Sequence, residues 1–399
     1  EFTPTEYLEL KRVLRDLEYR QRQQPLFAVA NAPAAGEYGP DVDVVTLSSE
    51  VTIELESATA WREIRKIRER LLTYAGTKDR GEIKFQFNPA WEEVKLRSAR
   101  VTMADGTVKE LRAEELNLMD APWVGGAPRY PAERILVASL PGIAIGSVIE
   151  YECERICHDQ PFFSATEYLA SLNPIERKTV TLRNPHHVPL VVHEPGARDP
   201  RRCDDAELTW AVTTVPPLAA EEQLPPPWLF APHVTVSAGD WPAYAELVRN
   251  TLAAAAANQP AAAAKAVELI AKQPDDSAKV QAIRDFVARY IRVAGPGFNT
   301  LPLNAISPAD RTLQDGYGNT ADRAVLLAAM LHAAGLKPEF LLSGKMPALP
   351  EVTAACNGCP IPLFDAVLVG VELAGGQVML NDTDQYAPLG ATTHEEMLA

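Results

Sequence analysis

Near residues 221–242 the hydrophobic period of this 399-residue chain changes from two to about 3.6, and that change constrains the fold more than any single motif. Over 41–220 apolar residues alternate with polar ones: Val42 and Val44, then Val51, Ile53 and Leu55, then Ile83, Phe85 and Phe87. Strands put successive side chains on opposite faces, so this period marks half-buried strands. Asp105-Gly106 is a hairpin signal, with Val108–Leu111 as the returning strand. Pro141-Gly142 and Gly146 bracket a turn before Ser147–Cys153, and Thr179–Leu182 and Leu190–Val192 add further strands. Short strands separated by Gly/Pro turns predict an antiparallel β-sandwich over 41–220.

After Pro225-Pro226-Pro227-Trp228, a stiff connector within 221–242, the pattern becomes helical. Tyr244–Ala271 is alanine-rich, with Leu247, Val248 and Leu252 on one side. Asp276-Ser277 caps a further helix in which Val280, Ile283, Phe286, Val287 and Ile291 recur at helical spacing. The segment 292–319 reads as loop. A helix follows over 320–334, with Ala324, Leu327, Leu331 and Ala334 on one face and Gly335 ending it. Glu339–Leu342, Ala366–Val371 and Val378–Leu380 read as strands. Helices followed by antiparallel strands make 243–399 an α+β domain. Ahead of both parts, 1–40 reads as a leader helix carrying Leu8, Leu10, Val13, Leu14 and Leu17, then a Pro/Gly linker.

Charge narrows the partners. A net charge of −15 and a pI near 5.0 argue against nucleic acid and anionic membranes, whose surfaces are also negative. No stretch approaches the ~20 apolar residues of a membrane span. The chain begins Glu1-Phe2-Thr3-Pro4 without a signal peptide and reads as an internal fragment. No cofactor or metal is expected. Cys356-x-x-Cys359 supplies two of the four ligands a structural zinc needs, while a disulfide between the two remains open in an oxidising compartment. Cys153, Cys157 and Cys203 read as idle thiols.

Three separated segments resemble bacterial transglutaminase-like domains. Gly316-Tyr317-Gly318-Asn319-Thr320-Ala321-Asp322 looks like the Gly-Asp/Asn-Cys-x-Asp run that opens that family's nucleophile helix. Phe364–Val369 looks like the strand carrying its histidine, and Leu380-Asn381-Asp382-Thr383-Asp384 like the strand end carrying its aspartate. The resemblance spans roughly 275–390 and implies a papain-like core. It also implies a triad in which a helix N-terminus lowers a thiol pKa, an imidazole moves the proton and a carboxylate orients the imidazole. At those positions this chain has Thr320, Ala366 and Asn381. A hydroxyl without a base is a poor nucleophile, so the family mechanism is expected to be lost. Asn319, Asp322, Tyr317 and Asp384 are then candidates to line a binding cleft, with Asp322 and Asp315 reading as cap or surface carboxylates. His332 lies twelve residues beyond Thr320, ~18 Å along the helix and out of reach. Cys356, Cys359 and His394 are the remaining groups that could serve a relocated site.

The β-rich part also resembles a known domain. Ala99-Arg100-Val101, Asp105-Gly106, Tyr130, Leu140-Pro141-Gly142 and Gly146–Tyr151 look like the domain of unknown function that often precedes bacterial transglutaminase-like domains. The pairing implies a periplasmic, secreted or membrane-tethered bacterial protein. The expected function is non-catalytic: binding of a peptide or protein partner, or an extracytoplasmic scaffold. Two alternatives stay open. One is a cysteine peptidase or amide-transfer enzyme working through unrecognised residues. The other is an envelope- or carbohydrate-binding module, resting on Trp228, Phe230, Trp241 and Tyr244, whose first reading is interdomain packing. The basic run Arg62, Arg65, Lys66, Arg68 and Arg70 reads as a solvated face on a helix or loop.

Overall fold

The computed structural model describes residues 38–39, 42–197, 201–204, 206–221, 224–344, 364–380, 388–390 and 397–398. The expected leader helix, Asn381, Asp384, Cys356, Cys359 and His394 lie outside them. The β half contains β1 (Val44–Leu55), β2 (Trp61–Leu71), α1 (Tyr74–Asp79), β3 (Glu82–Phe87), β4 (Glu92–Thr102), β5 (Val108–Glu110), β6 (Leu116–Asp120) and β7 (Arg134–Ser139). It continues with β8 (Val148–Cys157), β9 (Ser164–Tyr168), β10 (Ile175–Arg183), β11 (Val191–His193), β12 (Arg201–Asp204), β13 (Glu207–Val215) and β14 (His233–Ser237).

Eight of these strands form one large sheet in the order β12-β13-β10-β1-β2-β8-β4-β5. Its pairings are antiparallel except β1 with β10, which run parallel. Two three-stranded sheets, β3-β7-β6 and β11-β14-β9, pack on it. The first buries Ile83, Ala138 and Leu140 against Val44, Val101 and Ile149. The second buries Val234 and Val236 against Val51, Ile53, Val180 and Trp210. A buried ion triad reinforces the second contact: Glu167 on β9 takes Lys178 of β10 at 2.9 Å and also Arg65 of β2. Burial alone would raise the Glu167 carboxyl, but the two cations outweigh it and hold it below its ordinary value.

The basic run departs from its expected setting: it is neither helix nor loop but strand β2. Arg62, Lys66 and Arg68 face Glu154, Glu152 and Glu150 of β8 at 2.5, 3.4 and 3.3 Å. Such cross-strand charge pairs contribute roughly 0.2–1 kcal/mol each, enough to favour a register that apolar alternation leaves unmarked.

The helical half comprises α2 (Trp241–Ala256), α3 (Pro260–Ile270), α4 (Asp276–Tyr290), β15 (Arg292–Val293), α5 (Ala309–Asp315), β16 (Tyr317–Gly318) and α6 (Thr320–Ala333). Strands β17 (Pro338–Gly344), β18 (Ala366–Leu373), β19 (Gly376–Leu380) and β20 (Met397–Leu398) follow, in the sheet order β19-β18-β17-β20. The single helical stretch expected over Tyr244–Ala271 is two helices, because Asn258 adopts a positive φ and Pro260 cannot continue a helix ladder. The expected loop over 292–319 holds α5 and a short parallel pair, β15 with β16. Helix α6 is the hub. Ala321 through Leu331 are all buried, Asp322 and Arg323 included, rather than one face alone. It packs in one core with α2, α3, α4, β17 and β18. The mixed α+β class therefore holds, with an antiparallel-rich sheet as its largest element. No helix among the described residues is long and apolar enough to cross a membrane.

One residue of β13 is strained: exposed Thr214 has φ 52, a region β-branched side chains avoid. Thr214→Asn should gain about 1 kcal/mol in urea unfolding by relieving that conformation; an unchanged midpoint would contradict the assigned strain.

Candidate functional site

The site is built around the N-terminus of α6. Gly316 closes α5 at φ 68, in the left-handed region. At Gly318 a Cβ would lie 3.0 Å from the Asp322 Cβ and 3.1 Å from the Thr312 side chain, so β16 approaches α6 more closely than most side chains allow. Asn319 is the N-cap: its Oδ1 accepts the Asp322 N–H at 2.9 Å. Its Nδ2 is buried and has no hydrogen-bond partner among the described residues. Thr320, at the nucleophile position of the resemblance, is the first residue of the helix.

Asp322 is 0 % exposed and Asn319 2 %. Both are placed differently from the cleft-lining and surface roles expected for them. The Asp322 Oδ2 accepts from Tyr130 Oη at 2.5 Å and Arg129 Nη2 at 2.8 Å, and its Oδ1 accepts from the Ser307 N–H at 2.8 Å. Tyr130 Oη in turn accepts from the Asn319 N–H at 2.8 Å. Arg129 also donates through Nη1 to Asp315 at 3.0 Å and through its backbone N–H to Tyr317 Oη at 2.9 Å. Its guanidinium lies 4.9 and 5.0 Å from the ring centres of Tyr130 and Tyr317. Burial first, then the Asp322 carboxylate, push the Tyr130 phenol up, so it stays a neutral donor. Trp91, Ala127 and Tyr130 of the β half and Leu301 of the helical half share a small buried core beside this network. Tyr317 thus serves the joint between halves, like Asn319 and Asp322. Asp315 is held by Arg129 and by Arg311 at 3.0 Å.

Ala366 begins β18 opposite Ser343 and is 3 % exposed. The core in which α6 packs on β18 brings together the elements carrying Thr320 and Ala366. Asn381 follows the last residue of β19 and, with Asp384, falls outside the described residues. His332 is exposed near the far end of α6. Among the described residues no group of three or more His, Cys, Asp and Glu is arranged to hold a metal ion.

A cleft of about 570 Å³ opens between the halves. Its walls include Trp61, Trp91 and Phe162 from the β half and Tyr244, Phe298 and Phe364 from the helical half. Phe162 meets Tyr244 edge-on at 5.8 Å, and Trp241 meets Tyr244 and Phe364 at 5.9 and 5.4 Å. Of the aromatic cluster singled out in the sequence, Tyr244 lines the cleft, while Trp228 and Trp241 pack on the helical core. None of the described lining residues is a histidine. The cleft does contain a thiol, Cys157, which the sequence gives no reason to place there. Burial and the neighbouring Glu92 push it up to about 12, the reverse of nucleophile activation. Burial likewise pushes Cys153 up to about 11, and both are free thiols.

Residues 57–219 match a family described as a domain of unknown function with solved structure (DUF3857). The match covers nearly the segment marked by the β-half motifs. The fold is shared with a candidate protease from Parabacteroides distasonis: TM-score 0.74 at 19% identity, over 85% of this chain and 67% of that one. A candidate cysteine protease from Cytophaga hutchinsonii aligns at 12% identity over 83% of this chain and 78% of its own, but its TM-score of 0.23 carries no argument. No curated protein matches the chain.

Two outcomes follow. Tyr130→Phe leaves the Asn319 N–H without its acceptor and should cost about 1–3 kcal/mol, and Arg129→Met, which strips the cation from buried Asp322, about 3–5 kcal/mol, both in urea unfolding. Losses near zero would show that the joint contributes nothing. For the thiols, a folded pKa above the unfolded value gives stability fully present below about pH 9 and lost as pH rises toward 12. Iodoacetamide at pH 8 should leave Cys153 and Cys157 unlabelled in the folded protein and labelled in urea, read by peptide mapping.

Proposed function

We propose that this chain is a transglutaminase-like protein that has lost catalysis and binds a peptide or protein partner in the cleft between its halves. In this reading 41–220 is a β-sandwich module, 221–242 a connector and 243–399 a papain-like core, in a periplasmic, secreted or membrane-tethered bacterial protein. One observation carries the proposal. The N-terminus of α6 offers the hydroxyl of Thr320, and its neighbours Asn319 and Asp322 are bound up with Tyr130 and Arg129 of the β half. The strand that would bring the imidazole offers a methyl group, Ala366.

Magnitudes favour this reading over an enzyme. Positioned acid–base groups contribute typically ~10²–10⁴-fold, and removal of a whole triad costs on the order of 10⁶-fold in a well-studied protease. The fold shared with the candidate protease supports a papain-like framework and says nothing of turnover. The enzyme alternative would need a new nucleophile. Cys157 lines the cleft, but its raised pKa at about 12 leaves almost no thiolate at neutral pH.

Thr320→Cys alone should leave no hydrolysis of peptide amides, because the Ala366 position supplies no imidazole to accompany the thiol. The combined Thr320→Cys, Ala366→His and Asn381→Asp protein should be the first in the series to react stoichiometrically with iodoacetamide at position 320 near neutral pH. Activity in the single variant would show that a base has been overlooked and would overturn the proposal.

A further inference from the structure

The charges lining the inter-half cleft narrow what it can bind. The one lining cation among the described residues, Arg155, is already engaged: Nη1 donates to Glu92 at 2.6 Å and Nη2 to the Gln86 carbonyl at 2.9 Å. Glu92 is thereby neutralised. Its other oxygen accepts the Asn88 N–H at 3.0 Å, and the Cys157 thiol stands 3.9 Å away. An anionic ligand such as a phosphate or a carboxylate finds no available cation there among the described residues.

Glu133 is the opposite case. Its Oε2 accepts from the Trp123 indole N–H at 2.8 Å, which fixes the carboxylate's orientation. Among the described residues it has no cationic partner. Among the described residues the cleft therefore holds one oriented negative charge without a cation against it, with Trp61, Phe162 and Tyr244 among its walls. Aromatic faces attract cations and cover alkyl stems, and a carboxylate in a partly desolvated cleft takes an ammonium or guanidinium. The whole chain adds a long-range bias through its net charge of −15, which draws basic partners and repels acidic ones.

We infer that the partner is a basic peptide segment that inserts a lysine or arginine side chain into this cleft, its cationic head on Glu133 and its stem among the aromatic rings. The inference rests on the peptide-binding reading above and adds to it the residue that is recognised. Glu133 is then the specificity determinant, and Tyr244 and Phe162, in contact across the two halves, form part of the wall against which the stem lies.

The test uses the full 399-residue chain and four pools of acetylated, amidated nonapeptides, randomised except for a central lysine, arginine, norleucine or glutamate. Fluorescence anisotropy should show the lysine and arginine pools binding at least tenfold tighter than norleucine, with glutamate weakest. Glu133→Gln keeps an acceptor for Trp123 and should remove that tenfold preference while leaving norleucine binding and the thermal midpoint unchanged. Equal binding of all pools, or a preference that survives Glu133→Gln, would overturn the basic-residue inference and leave peptide binding standing. Failure of every pool, with chitohexaose bound instead, would overturn both.

Discussion

The joint between the two halves of this molecule is built around a buried carboxylate. Asp322 sits in the first turn of a helix that is buried on all sides, and its charge is balanced from the other half of the chain by Arg129. The phenol of Tyr130 and the Ser307 N–H complete its shell. A charge with no solvent exposure tolerates the loss of none of these partners, because the desolvation that each offsets amounts to several kcal/mol. The segment 129–130 therefore has to dock on 319–322 for the helical core to be satisfied. The cleft between the halves, with Trp61 and Phe162 on one wall and Tyr244 and Phe364 on the other, forms at the same interface.

The same joint bears on the chemistry. A helix N-terminus is a place where a fold can hold a thiolate or an anion, since its N–H groups point outward and its dipole favours negative charge. Here two of the first N–H groups have partners within the protein: Asn319 N–H gives to Tyr130 and Asp322 N–H to the cap. On the proposed reading this position serves architecture, and the aromatic cleft is the surface offered to another molecule.

Much of this was legible in the residues, and the gaps have physical causes. The apolar recurrence of Ala324, Leu327 and Leu331 and the stop at Gly335 marked α6, because helical spacing and a left-handed terminal residue answer local backbone demands. Strand β2 was not legible as a strand: Arg62, Lys66 and Arg68 give no apolar period, and their partners Glu150, Glu152 and Glu154 come more than eighty residues later. The parallel pairing of β1 with β10 is hidden for a similar reason, since no local turn announces it. Asp322 looked like a cap carboxylate because sequence spacing carries no information about Tyr130, 192 residues away. The placement of Glu133 and Cys157 in one cleft was equally out of reach, as it depends on how β4, β7 and β8 meet the helical half.

The most direct measurement is a product search. The intact protein is incubated with a complex peptide mixture with and without an added primary amine, and mass spectrometry follows cleavage, deamidation and amine incorporation. The account predicts peptide profiles that match those of buffer alone. Products that accumulate with time and vanish on Thr320→Ala would contradict it.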